Sequence, residues 1–201
     1  MFQLAELSDT LRLPPSTLAL SLHKAAAEQI RTIYTDRVVP QLGLAVALYD
    51  ITKLGQAILR QGSPDHEVKV VFRLVIFRPF VGEVITGTTI SCGREAGIRV
   101  SMSFFDDIYV HPERFREDTE WSESESLWVW KVNGAELFYD LENHARFRVV
   151  DIEFREQTVR SADELEGLAR DDKPAMKVVA TFAEPGLGLV AWWPDPEAEE
   201  V

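Results

Sequence analysis

Seven short β-type runs, each closed by a turn signal, fill the chain from Val81 onward and constrain its fold more than any other feature. They are Val81–Ile90, Ile98–Ser103, Ile108–Val110, Leu127–Val132, Arg146–Phe154, Lys177–Phe182 and a closing Leu187–Trp193. Strands this short leave reactive edges unless their sheet closes on itself, so the spacing predicts a closed antiparallel barrel. Gly82 and Gly87 fall where a tightly coiled first strand needs residues without a Cβ. Two acidic stretches, Glu113–Glu125 and Asp163–Asp172, interrupt the pattern and are expected to be solvated insertions outside the barrel.

The residues before Arg78-Pro79-Phe80 follow a different pattern, which makes that tripeptide the expected boundary between units 1–80 and 81–201. Phe2–Leu7 reads as a short strand stopped by Ser8-Asp9, and Pro14-Pro15 leads into Ser16, a suitable helix N-cap. Leu18, Leu22, Ala25, Ala26, Ile30 and Ile33 recur at helical spacing, with Lys24, Glu28 and Arg31 on the wet side. This predicts one helix covering a sheet. In the next strand Leu42, Leu44, Val46 and Leu48 are expected under the helix. Gly43, Ala45 and Ala47 are expected to form a small-residue face open to close approach. Val68–Phe77 is a second long strand, and Asp50–Glu67 joins the two as a long hairpin with exposed tips, either a docking element or a solvated loop.

Charge follows the same division. The chain of 201 residues carries 21 basic and 33 acidic side chains, a net of −12. Residues 1–80 hold 9 basic and 7 acidic groups, net +2, while residues 81–201 hold 12 and 26, net −14. Such a balance excludes a protein held on nucleic acid by net charge alone and supports two units with different partners. The composition, 46% hydrophobic and 27% charged, excludes a mainly disordered chain. No apolar run approaches the roughly 20 residues a bilayer crossing needs, and MFQLAELSDT has neither the basic nor the apolar region of a signal peptide. The single cysteine, Cys92, can form neither an internal disulfide nor a thiolate zinc site, as expected of a soluble protein in a reducing compartment.

No catalytic constellation emerges. Asp106-Asp107 is the one adjacent acidic pair within the β pattern, but neighbours in a strand point to opposite faces and cannot easily converge on two metal ions. Phosphate-binding glycine loops and nucleophile elbows are missing from the sequence. No catalytic residue, cofactor or metal site is therefore assigned. The tryptophans Trp121, Trp128, Trp130, Trp192 and Trp193 are either core and interface or stacking platforms for bases, and because neighbours alternate, at most one of Trp192 and Trp193 should point outward. Arg146 and Arg148 share a strand face opposite Phe147 and Val149, and Arg99 alternates with Ile98 and Val100. Tyr109 and His111 point outward if Ile108 and Val110 point in. Each of these five, Arg99, Tyr109, His111, Arg146 and Arg148, belongs either to a solvated strand face or, as a set expected on neighbouring strands, to a surface for single-stranded nucleic acid, with the arginines for phosphate and the two rings for unpaired bases.

Specific motifs then converge on one family. Gly82-Glu83-Val84, Gly87, Gly97-Ile98-Arg99-Val100 and Ile108-Tyr109-Val110-His111-Pro112 resemble the OB-fold RNA-binding module first known in a ribosomal protein, and His111 matches the position of a histidine on its RNA face. MFQLAELSDTLRLPP at the start, VALYDITKL at 46–54, FR at 72–73 and IFRPF at 76–80 extend the resemblance through the first unit. SFFDDI at 103–108, WVW at 128–130, RFRVVD at 146–151 and EPGLGLVAWW at 184–193 extend it through the second. Together they resemble the larger stalk subunits of RNA polymerases, the archaeal form and its eukaryotic counterparts, with the Trp-Trp segment pointing to the polymerase III branch.

The resemblance implies an α+β chain. An N-terminal α/β tip domain, with an antiparallel sheet and one covering helix, would dock to the polymerase core. A C-terminal OB-fold β-barrel would touch nascent single-stranded RNA. It also implies a nuclear location, a non-catalytic role in transcription initiation, and a heterodimer with a smaller helical subunit. The small-residue face and the apolar junction near Phe77 and Phe80 are the expected surface for that subunit. The expected core-docking elements are Pro14-Pro15 and the loop carrying Ile51, Thr52, Lys53 and Leu54. The alternatives are a free-standing OB protein of translation or RNA turnover, which would not need the first unit, and a scaffold that never touches RNA.

Overall fold

The computed structural model describes residues 1–59, 62, 64–155 and 174–193. Two compact units emerge, Met1–Arg78 and Pro79–Val201.

In the first unit the strands are β1 (Phe2–Leu13), β2 (Arg37–Val39), β3 (Gly43–Leu54), β4 (Ile58–Leu59) and β5 (His66–Phe77), with one helix, α1 (Leu22–Tyr34). The sheet is antiparallel in the order β1-β5-β3-β2, with β4 pairing the start of β5. Its core joins Ala25, Ala26 and Ile30 of α1 to Leu11, Leu13, Ala45 and the inward row Val68, Val70, Phe72, Leu74 and Ile76 of β5. That row is strict alternation, the pattern of a strand with one face buried.

Four expectations are corrected here. The first strand runs through Ser8-Asp9 to Leu13, because β5 supplies an unbroken ladder from Phe2↔Phe77 to Leu13↔His66. The helix is capped by Ser21, whose Oγ accepts from the Lys24 amide at 3.4 Å. Pro15–Ala19 is a separate 3-10 turn. Gly43 and Ala45 are buried on the core side of β3, and register shifts after Ala45, Leu48 and Ile51 then bring Leu48, Ile51 and Leu54 onto the core at intervals of three. Each bulge inserts a residue and resets the alternation. The expected open face therefore does not form. Gly43, Ala45 and Phe77 are buried, while Ala47 and Phe80 are exposed. Ile51, Thr52, Lys53 and Leu54 belong to β3 rather than to a loop.

Tyr34 ties the end of α1 to β1. Its ring lies 5.2 Å from that of Phe72, and its hydroxyl donates to Asp9 Oδ2 at 2.7 Å. Burial, then the hydrogen bond and charge of Asp9, push the phenol up to about 12 from its ordinary 10.0. Above the ordinary value the unfolded chain releases this proton while the folded one keeps it, so stability falls as pH rises through that window. Urea midpoints measured at about pH 9 and about pH 11 should therefore drop further for the wild type than for Tyr34→Phe. Parallel drops would show that Tyr34 is not the group responsible.

The second unit contains two sheets. β6 (Val84–Gly93), β7 (Gly97–Ser101), β8 (Ile108–Val110), β12 (His144–Phe154) and β13 (Met176–Thr181) close into a five-stranded barrel: β6 pairs β7, β7 pairs β8, β8 pairs β13, β13 pairs β12 and β12 returns to β6. This is the OB-fold arrangement. Its β8–β13 seam is parallel, so the barrel is not wholly antiparallel. Gly87 permits the closure, since a Cβ there would lie 2.6 Å from Val100 Cγ1.

Leu127–Val132 is not a barrel strand. It is β10, the centre of a separate sheet with β9 (Thr119–Ser122) and β11 (Ala135–Phe138). The first acidic stretch is therefore part of a folded insertion, with Phe115 7% exposed. The second, Asp163–Asp172, lies outside the described residues. A short strand β14 (Gly188–Leu189) pairs β12 and leads into a 3-10 turn at Val190–Trp192. Among the described residues no helix is long and apolar enough to cross a membrane.

Candidate nucleic-acid interface

The inward residues of the barrel strands position the candidate side chains. Ile98 and Val100 are buried, which turns Arg99 outward on β7, and Ile108 and Val110 do the same for Tyr109 on β8. Arg99 and Tyr109 face each other in register. Ala145, Phe147 and Val149 are buried on β12 and turn Arg146 and Arg148 outward.

The five residues form two groups rather than one stripe. β12 has no ladder with β7 or β8, because β6 and β13 stand between them. Arg99, Tyr109 and His111 are one group. Arg146, opposite Thr86 of β6, and Arg148, opposite Val84, are the other. The expected adjacency of all five strand positions is thereby corrected.

Two of the arginines are engaged within the barrel. Arg99 donates through Nε to the Asp106 carbonyl at 2.9 Å and through Nη2 to Asp107 Oδ1 at 3.0 Å. Arg148 donates through Nη1 to the Gly82 carbonyl at 2.8 Å and pairs with Glu184 Oε2 at 2.8 Å. A phosphate must compete with these carboxylates for both side chains. Arg146 is half-buried on the outward face between β6 and β14.

One cation escaped the sequence reading. Lys177 of β13 donates from Nζ to His111 Nε2 at 2.9 Å and lies 5.1 Å from the centroid of the Tyr109 ring. These three line a groove of about 490 Å3 together with Glu153, Phe154 and Arg155. The parallel β8–β13 register brings Lys177 there across 66 residues of sequence, and hydrophobic alternation carries no information about that pairing.

The tryptophans pack at the junction of the insertion and the barrel. Trp128 is 9% exposed, meets Phe115 and Trp121 edge-on at 5.0 and 5.5 Å, and donates its indole N–H to the Gly93 carbonyl at 3.0 Å. Trp192 and Trp193 sit in and after a 3-10 turn, so strand alternation does not apply, and both approach Trp130, at 5.7 and 6.4 Å. Arg116 lies over Trp130 at 4.3 Å and over Trp193 at 5.0 Å while donating to the carbonyls of Phe182 and Glu184. Burial pulls the Arg116 guanidinium down and pushes the Tyr139 phenol well up. Burial likewise raises the Cys92 thiol, disfavouring its reactive thiolate.

Asp106 and Asp107 are occupied by Ser101 and Arg99 respectively. Among the described residues no group of three or more His, Cys, Asp and Glu could hold a metal ion.

Comparison with known proteins covers both units. A family model described as RNA polymerase III subunit Rpc25 matches residues 83–193, and one described as the SHS2 domain found in the N terminus of Rpb7p/Rpc25p/MJ0397 matches residues 8–64. DNA-directed RNA polymerase III subunit rpc8 of Schizosaccharomyces pombe is 35% identical over 203 residues, covering 96% of this chain and 100% of that protein. The Bos taurus RPC8 subunit is also 35% identical over 203 residues, covering 96% and 98%. The archaeal subunit Rpo7 of Saccharolobus shibatae is 26% identical over 121 residues, covering 59% of this chain and 65% of its own.

Proposed function

The chain belongs to the RNA polymerase III subunit Rpc25 family, and from that premise we propose that it is a non-catalytic stalk subunit of nuclear RNA polymerase III that contacts nascent RNA during initiation on small non-coding RNA genes. The observation that carries this reading is the extent of the likeness, which spans both the SHS2 unit and the barrel. A free-standing OB protein would share only the second. The first unit docks to the polymerase core, with Pro15, Thr52 and Lys53 as the exposed members of the expected docking set and Pro14, Ile51 and Leu54 partly buried beneath them. A smaller helical subunit completes the stalk.

RNA contact by the barrel accords with outward cations on two parts of its wall and works against the net negative charge, which keeps the affinity low; the salt dependence follows the number of phosphates those cations contact. Arg146 tests the β12 part without breaking the ties that Arg148 makes. Arg146→Glu should weaken binding of a fluorescent single-stranded RNA by the full chain. It should also make the log–log salt dependence shallower by about 0.7 or more, with the thermal transition unchanged. Unchanged affinity and slope would remove β12 from the RNA surface.

A further inference from the structure

Tyr109 offers the obvious ring for a base, yet its surroundings suit a different task. β8 lies between β7 and β13, so Arg99 and Lys177 reach the ring from opposite flanking strands. The Arg99 guanidinium carbon stands 5.6 Å from the ring centroid and Lys177 Nζ 5.1 Å, both within the reach of cation–π attraction. A base stacking on this ring competes with these cations for its faces. A phosphate need not, because it approaches the cation rather than the ring.

Lys177 is held at a second point. Its Nζ donates to His111 Nε2 at 2.9 Å, which assigns the imidazole proton to Nδ1. An ammonium has three N–H donors, so this bond leaves capacity for an anionic oxygen in the groove that Lys177 lines. On the other side the Tyr109 hydroxyl reaches Asp107 Oδ1 at 3.4 Å, the oxygen that also holds Arg99 at 3.0 Å. The ring itself stands on the strand between those that carry the two cations. Glu153 stands in register with Lys177 on β12 and lines the same groove, a carboxylate that lowers the affinity for any anion there.

We infer that Lys177 contacts the phosphate of an unpaired RNA strand in this groove, and that Tyr109 and His111 are positioning residues which hold its ammonium rather than surfaces on which bases stack. This rests on the reading of the barrel as an RNA surface. It assigns this part of the barrel to the sugar–phosphate backbone, and hence to sequence-independent contact.

The test uses the full chain and a fluorescent uridine homopolymer, titrated with salt. Lys177→Gln should lower affinity about tenfold at low salt and make the log–log salt slope shallower by about 0.7. Tyr109→Leu should reproduce both changes, Tyr109→Phe should reproduce neither, and Tyr109→Leu combined with Lys177→Gln should be no weaker than either alone. A Tyr109→Leu loss with unchanged slope, additive with Lys177→Gln, is the signature of stacking and overturns the inference. Wild-type binding that Lys177→Gln leaves intact overturns it while sparing RNA contact elsewhere. No binding by the wild type overturns RNA contact altogether. A second measurement needs no RNA: the Lys177 ε-methylene protons should be shifted upfield by the Tyr109 ring current, retained in Tyr109→Phe and lost in Tyr109→Leu. Ordinary methylene shifts in the wild type overturn the inference by themselves.

Discussion

Gly97→Ala should severely destabilise the barrel, while the matched change Gly82→Ala should only weaken it. Both glycines have positive φ, +76° and +89°, so both substitutions incur the left-handed penalty of about 1 kcal/mol. They differ in space. A Cβ at Gly97 would lie 2.1 Å from the Val110 carbonyl oxygen and 3.0 Å from the His111 Cα, both backbone atoms of the strand that carries Tyr109 and its exit. Backbone cannot swing aside as a long side chain can, so β7 must separate from β8 and the ladder between Ile98 and Val110 must open. At Gly82 nothing lies within 4 Å. The expected losses are more than about 3 kcal/mol for Gly97→Ala, a large share of a domain's stability, and about 1 kcal/mol for Gly82→Ala. Denaturant unfolding followed by the tryptophans, all of which lie in the second unit, measures both. Equal losses at the two sites would show that only the backbone conformation matters and that the barrel tolerates the clash.

Replacing Ile51–Leu54 with Gly-Ser-Gly-Ser should unfold the first unit, a larger effect than removal of a docking loop. Ile51 and Leu54 pack on the core, and the segment pairs with Phe72, Val71 and Val70 of β5. Two partly buried aliphatic side chains are worth roughly 1–1.5 kcal/mol each, and two glycines in a strand add about 0.5–1 kcal/mol each, so the loss is about 4 kcal/mol. Thr52→Glu with Lys53→Glu separates docking from folding, because both side chains are exposed. It costs about 1 kcal/mol, chiefly the Thr52 hydroxyl bond to the Val71 carbonyl at 3.1 Å. The pair should still unfold cooperatively yet co-purify with polymerase much less than the wild type. Full retention of polymerase by this double variant would move the docking surface away from the end of β3.

These corrections show what was legible in the chain. The alternation of Ile98-Arg99-Val100, of Ile108-Tyr109-Val110 and of Ala145 to Val149 holds in the barrel, because a strand with one buried face leaves no other register. Bulges hide from the same reading: in β3 a spacing of three from Leu48 through Ile51 to Leu54 mimics a strand running out into a loop. Ser16 and Ser21 are equally good caps in isolation, and the 3-10 turn at Pro15–Ala19 decides for the second. Leu127–Val132 has the composition of a barrel strand, yet Trp128 packs on Phe115 and Trp121 and belongs to the insertion. Lys177 could not be placed because its partners come through a parallel seam whose register depends on tertiary closure. Likewise, Arg99 and Arg148 read as outward cations, but their pairing with Asp107, eight residues on, and with the distant Glu184 is set by the folded barrel.

Both units are proposed to act together as part of RNA polymerase III. The most direct measurement is purification of the tagged full chain at its native level from its own cells, with quantitative mass spectrometry of what accompanies it. The two largest polymerase III subunits and one small helical chain should accompany it in near-equal amounts, with polymerase I and II subunits at background. Recovery of the chain without polymerase subunits, or with ribosomes or RNA-decay enzymes in their place, would contradict the proposal.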